Sequence, residues 1–162
     1  MTVIKQTLMQ LVLVALTINC CSTHAETIAY GAPISLELAK KVAQAASTEM
    51  HKKHLELTIA VVDSGGNLIY LERSNQAPIG TVDAAIGKAK AANGIKAPTK
   101  ALEDQILNNN KINLLGIPGA FPVEGGVPLI ANQKIIGAIG ASGATPSDDG
   151  AVANAGAKSL QP

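Results

Sequence analysis

The chain has 162 residues, of which 47% are hydrophobic, 2% aromatic and 15% charged, and its formal net charge is +1. That length is one domain, and 13 basic against 12 acidic residues leave no electrostatic footprint for nucleic acid or an anionic membrane surface. Two Tyr, one Phe and no Trp also fall short of the aromatic platforms on which single-stranded nucleic acid stacks.

The N-terminus reads as a secretory signal peptide. Lys5 is followed by an apolar run from Leu11 to Ile18 and by the small-residue approach Ser22-Thr23-His24-Ala25, the order such leaders show. The run is shorter than the roughly 20 residues that span a bilayer. Cleavage is expected after Ala25, giving a leader over residues 1–25 and a single domain over 26–162. The mature protein is then exported, to the periplasm or the exterior, with no membrane anchor of its own. Lipidation at Cys20 or Cys21 is disfavoured, because Thr17-Ile18-Asn19 lacks the small residues that usually precede a lipidated Cys. Both cysteines leave with the leader, as do Lys5 and His24. The mature chain therefore has 12 basic and 12 acidic residues and no thiol, which excludes disulfides, thiolate nucleophiles and Cys-held metals.

In the mature chain, Ser35 precedes Leu36, Ala39, Val42, Ala43, Ala46 and Met50 at three- and four-residue intervals, which predicts an amphipathic helix to about Lys52 with Ser35 as N-cap. Leu57 to Val62 is rich in β-branched residues, Ser64-Gly65-Gly66-Asn67 is turn chemistry and Leu68 to Leu71 is apolar again; this is a β-hairpin. A second helix is predicted over Pro78 to Asn93, with Val82, Ala85, Ile86, Ala89 and Ala92 on one face and Gly94 as C-cap. Beside that face runs a stripe of Gly80, Ala84, Gly87 and Ala91. Its two helical glycines cost roughly 1 kcal/mol each relative to Ala, so a close approach should offset them. Pro98-Thr99-Lys100 opens a short helix to about Leu107, and Asn108 to Gly126 reads as loop. Val127 to Ala131 and Ile135 to Ala141 form a second hairpin. Thr145-Pro146-Ser147-Asp148 then starts a terminal helix to about Lys158. Two hairpins separated by helices point to an antiparallel α+β fold, since a parallel sheet needs a crossover between every strand.

Dinucleotide, P-loop, nucleophile-elbow and H-E-x-x-H motifs are absent from the sequence, and with them the chemistry that each supports. His51 and His54 are the imidazoles left after processing. Their spacing can place both on one side of a helix, available to a metal or a haem iron, while two neighbouring lysines and the helix C-terminus favour a solvated cap. Asp63 before Ser-Gly-Gly-Asn suits an Asx-type turn. The Gly80 to Ala91 stripe has three readings: packing on the sheet, packing on a symmetry mate, or a seat for a flat ligand.

The ordered series Ala60-Val-Val-Asp63-Ser-Gly-Gly66-Asn-Leu68, Ala77-Pro78-Ile-Gly80, Gly87-Lys88-Ala89, Ala97-Pro98-Thr99, Gly125-Gly126-Val-Pro128 and Ile136-Gly137-Ala-Ile-Gly140-Ala-Ser-Gly143 resembles the GlcG/HbpS haem-binding family. This family is also called haem-degrading or PduO C-terminal-like. The likeness runs from about Ile34 to Leu160. It implies a profilin-like sheet of about five antiparallel strands flanked by helices, assembly into homo-oligomers from dimers to octamers, and binding of haem or a related tetrapyrrole, with haem breakdown in some members. Two of the family's ligand positions depart from its pattern. Ala91 stands where a Thr haem contact is common, and Ile86 replaces one of a carboxylate pair, leaving Asp83. The resemblance thus leaves the iron of a bound haem to His54 or His51, to a ligand from another subunit, or to none. It leaves the propionates to Lys88 and Lys90, beside Gly87 and Ala91. The non-haem alternative is a small-molecule-binding or interaction module whose small-residue helix face is the oligomer interface.

Overall fold

A computed structural model of the chain describes residues 27–160; the predicted leader and its processing site lie outside them. The elements run β1 (Ala29–Tyr30), α1 (Leu36–Lys52), β2 (Thr58–Asp63), β3 (Leu68–Arg73), α2 (Thr81–Ile95), α3 (Thr99–Leu107), a 3-10 turn (Ile112–Gly116), β4 (Gly126–Ala131), β5 (Lys134–Ser142) and α4 (Pro146–Lys158). The five strands form one sheet, in which β5 is flanked by β4 and β2, and β2 is flanked in turn by β3, all antiparallel. β1 adds a short parallel pairing to Lys134 and Ile135 of β5, in line with β2, whose own pairing stops at Gly137. A two-residue strand carries no periodicity in the sequence, so only the bare edge of β5 reveals it.

Local chemistry explains the turns. Asp63 Oδ1 accepts from the N–H of Gly65 at 2.9 Å and of Asn67 at 2.8 Å, the Asx turn expected between β2 and β3. Asn132 and Gln133 both have positive φ, 49° and 61°, as a two-residue hairpin turn of type I′ requires. Ser35 and Thr145 cap α1 and α4, accepting from the N–H of Leu38 and of Asp148 respectively.

The alternation of β2 divides the core. Ile59 and Val61 pack with Val42, Ala43, Ala46 and Met50 of α1 and Val152 of α4 on one face. Val62, with Ala138 of β5, meets Ala89 and Ala92 of α2 on the other. The second layer is thin because its residues are small. A Cβ on Gly140 would collide with the Ala85 carbonyl and the Ala89 N–H, so glycine there lets the α2 backbone lie directly on the sheet.

Helix α2 departs from the sequence reading in two respects. Its buried residues are Thr81, Ala85, Lys88, Ala89, Ala91, Ala92 and Asn93, whereas Val82 and Ile86 are half-buried. The helix is thus rotated to admit three polar side chains, and each finds a partner: the Thr81 hydroxyl lies 2.7 Å from that of Thr58, Lys88 reaches Asp149, and the Asn93 amide donates to the Ser64 carbonyl at 3.1 Å. Its C-cap is Lys96 at φ 56°, with Gly94 still helical. The Lys96 ammonium bonds to the Ile28 carbonyl at 2.9 Å and sits 4.5 Å above the Tyr30 ring. These contacts offset the cost of the left-handed conformation.

Candidate functional site

The structure separates the residues singled out in the sequence. His51 and His54 lie at the C-terminal end of α1, both exposed. Gly87, Lys88 and Ala91 lie on α2, across the sheet. His54 has left φ/ψ space typical of helices, with φ 55°, and its N–H bonds back to His51 O at 3.0 Å, so the two imidazoles are carried by one compact helix end.

His51 borders a cleft of about 440 Å³ that is also lined by Glu56, Arg73, Ser74, Asn75 and Gln76. A smaller recess of about 210 Å³ continues inward along Met50, Leu57 and Glu72. The cleft arises because β3 ends at Arg73 and the chain turns away before α2, leaving a gap beside the last turn of α1. Arg73 is the one arginine of the sequence, and among the described residues no carboxylate pairs with it. Glu72 accepts a hydrogen bond from the Tyr70 hydroxyl at 2.9 Å, an interaction that holds the Tyr70 phenol above its usual range. The other carboxylate oxygen, Oε1, is buried without a partner. Neither Glu72 nor Arg73 was placed in a cleft by the sequence reading. A strand end carrying a charged pair is the only signal that pointed there.

On the opposite face, Lys88 is 2% exposed. Its ammonium donates to Asp149 Oδ2 at 2.7 Å and to the Ala141 carbonyl at 3.2 Å. The burial that encloses this pair pushes the Asp149 carboxyl up, opposed by the hydrogen bonds from Lys88 and from the Ala144 N–H. Lys88 is therefore engaged inside the fold, and Lys90 alone of the two is exposed. The Gly87 face is covered as well: a Cβ there would meet the Phe121 ring at 2.7 Å, and Ala91 is 3% exposed. The glycine lets the Phe121 ring close on the helix, so within one chain this face packs against a loop. Among the described residues, no three of His, Cys, Asp and Glu come together to hold a metal ion, and no helix is long and apolar enough to cross a membrane.

Consecutive aspartates at the start of α4 join the two halves. Asp148 takes Lys53 beside the α1 terminus at 2.9 Å, while Asp149 takes Lys88 of α2. The Lys53 contact and the Thr145 hydroxyl hold the Asp148 carboxyl below its usual range.

A single sheet with helices on both faces and open clefts at its margins defines a small α+β domain of the profilin-like kind. The chain belongs to the family described as haem degrading protein HbpS-like, whose model matches residues 34–158. It is 35% identical over 110 residues to the protein GlcG of Escherichia coli K12, covering 67% of this chain and 81% of that one. The crystal structure of HbpS is 32% identical with a TM-score of 0.75, over 82% of this chain and 93% of the other. The crystal structure of a PduOC:haem complex shares the fold at 20% identity and a TM-score of 0.71, over 80% of this chain and 96% of that one.

Proposed function

We propose that this is an exported tetrapyrrole-binding protein, a haem carrier, buffer or sensor partner acting in the periplasm or outside the cell as a homo-oligomer. The observation that carries the proposal is the family match across almost the whole domain. The donor set at the α1 terminus adds to it. His51 offers an imidazole in an open cleft, a usual axial ligand of haem iron. Arg73, without a carboxylate partner, and the amides of Asn75 and Gln76 are of the type that takes propionates. Within one chain the apolar walls of this cleft are only Met50 and Leu57, so the macrocycle would need further cover from a second copy. Haem iron, when bound, supplies redox and oxygen chemistry; the residues of this chain hold and orient it.

The test is a haem titration of the mature chain, Glu26 to Pro162, followed at the Soret band with His51→Ala and His54→Ala alongside. The expected result is saturation at a fixed ratio and loss of the band shift in His51→Ala. A rise that never saturates, the same in all three proteins, sinks the proposal. Iron release from bound haem under a reductant and oxygen decides whether the protein also degrades it. The second reading, an interaction module without haem, loses the interface first assigned to it, because the Phe121 ring already fills the Gly87 face.

A further inference from the structure

Among the described residues, the outer edge of β4 is unpaired, because β4 bonds only to β5 there. Along this edge lie two cavities that share Ile28 and Ile130 as lining residues. One, of about 350 Å³, is walled by Ile28, Pro98, Val127, Pro128 and Ile130 between the ends of α2 and α4. The other, of about 540 Å³, continues past the same two isoleucines to the β4–β5 turn. Both volumes fall in the range of small-molecule sites. Ile28 and Ile130 are 39% and 41% exposed, so the shared wall is apolar surface left in water.

Charge around this groove has one sign. Lys96 and Lys158 line the first cavity and Lys134 the second, and no carboxylate lines either. None of the three lysines has a carboxylate partner among the described residues, in a chain whose net charge is only +1. Lys96 is held in place by its bond to the Ile28 carbonyl and keeps further N–H donors for a ligand. Pro128 sits in this edge strand and has no N–H to give, which makes the edge a poor template for an added β-strand.

We propose that the groove binds an amphipathic carboxylate of the fatty-acid type, its chain along Ile28 and Ile130 and its carboxylate at Lys96 and Lys158. The site is independent of the tetrapyrrole reading, because His51 and Arg73 lie at the β3 margin, the opposite edge of the sheet. Calorimetric titration of the mature chain with laurate tests it. The expected result is saturable binding at one per chain. Octanoate, four methylenes shorter, binds on the order of a hundredfold more weakly, and dodecanol about tenfold more weakly for lack of a charge-assisted bond. Lys158→Glu, an exposed change in the last turn of α4, weakens laurate about tenfold, Ile130→Glu abolishes its binding, and His51→Ala leaves it unchanged. Melting curves confirm that the variants are folded. Unsaturable uptake overturns the proposal. So does dodecanol binding as tightly as laurate, wild-type affinity in a folded Lys158→Glu protein, or loss of laurate in His51→Ala.

Discussion

The residue that most changes meaning between sequence and structure is Lys88. The family resemblance leaves it to a haem propionate. In the fold its side chain and that of Asp149 are each 3% exposed and 2.7 Å apart. A buried ion pair adds little net stability over an apolar pair, but removing one partner strands the other charge, at a cost of about 3–5 kcal/mol. Lys88→Met should therefore lower the unfolding free energy from urea titration by an amount in that range, and adding Asp149→Leu to it should recover part of the loss. The deficit should also depend on pH. Burial already raises the Asp149 carboxyl above its ordinary 3.8, and without the ammonium it rises further. Between the unfolded and folded values the native state binds more protons than the unfolded one, so stability falls as pH rises through that window. The penalty of Lys88→Met should be smallest near pH 4, grow on going to neutral pH and then level off. A deficit that is the same at both ends would show that Asp149 is not buried as an unpaired charge in the variant.

Glycines show how elements rather than residues set tolerance. Gly94 and Gly140 both lie in regular structure, although the sequence reads Gly94 as a C-cap. Gly94 is exposed in α2 with nothing within 4 Å of an added Cβ. Gly94→Ala should stabilise the protein by about 0.5–1 kcal/mol through lost backbone entropy in the unfolded chain. Gly140 instead touches the α2 backbone, so Gly140→Ala must part helix from sheet at the thinnest layer of the core. It should destabilise by about 1–3 kcal/mol, as overpacking does. Thermal unfolding of the two variants checks both signs, and a neutral Gly140→Ala would mean that α2 does not sit on the sheet as described. The same close layer explains why the α2 stripe was misjudged by one helical position: a surface with almost no side-chain volume gives periodicity little to report.

At the scale of the molecule, several of the large apolar residues that the fold leaves exposed lie close together in the chain. Leu107, Ile112, Leu115 and Ile117 are 71%, 64%, 58% and 40% exposed, all within the end of α3 and the 3-10 turn that follows it. Contiguous exposed apolar surface of this kind marks an interaction site, and it is the part of one chain best suited to the expected self-association. Replacing Ile112 and Leu115 together with Asp should reduce the sedimenting mass of the assembly without unfolding the domain, since neither side chain belongs to the core. An unchanged assembly would move the interface elsewhere.

The sequence by itself determined the main elements and their order, though not β1 or the 3-10 turn: both hairpins, the caps at Ser35 and Thr145, the Asx turn at Asp63, the terminal helix from Pro146 to Lys158 and, through the motif series, the family. These are local or ordered signals, written in spacing, turn chemistry and consecutive residues. Only the tertiary structure decided that β1 pairs with the bare end of β5, that Lys88 is interior, that Phe121 covers Gly87 and that the histidines stand across the sheet from α2. Each of those depends on which groups meet from distant parts of the chain, and side-chain type along one segment does not encode the identity of its neighbour.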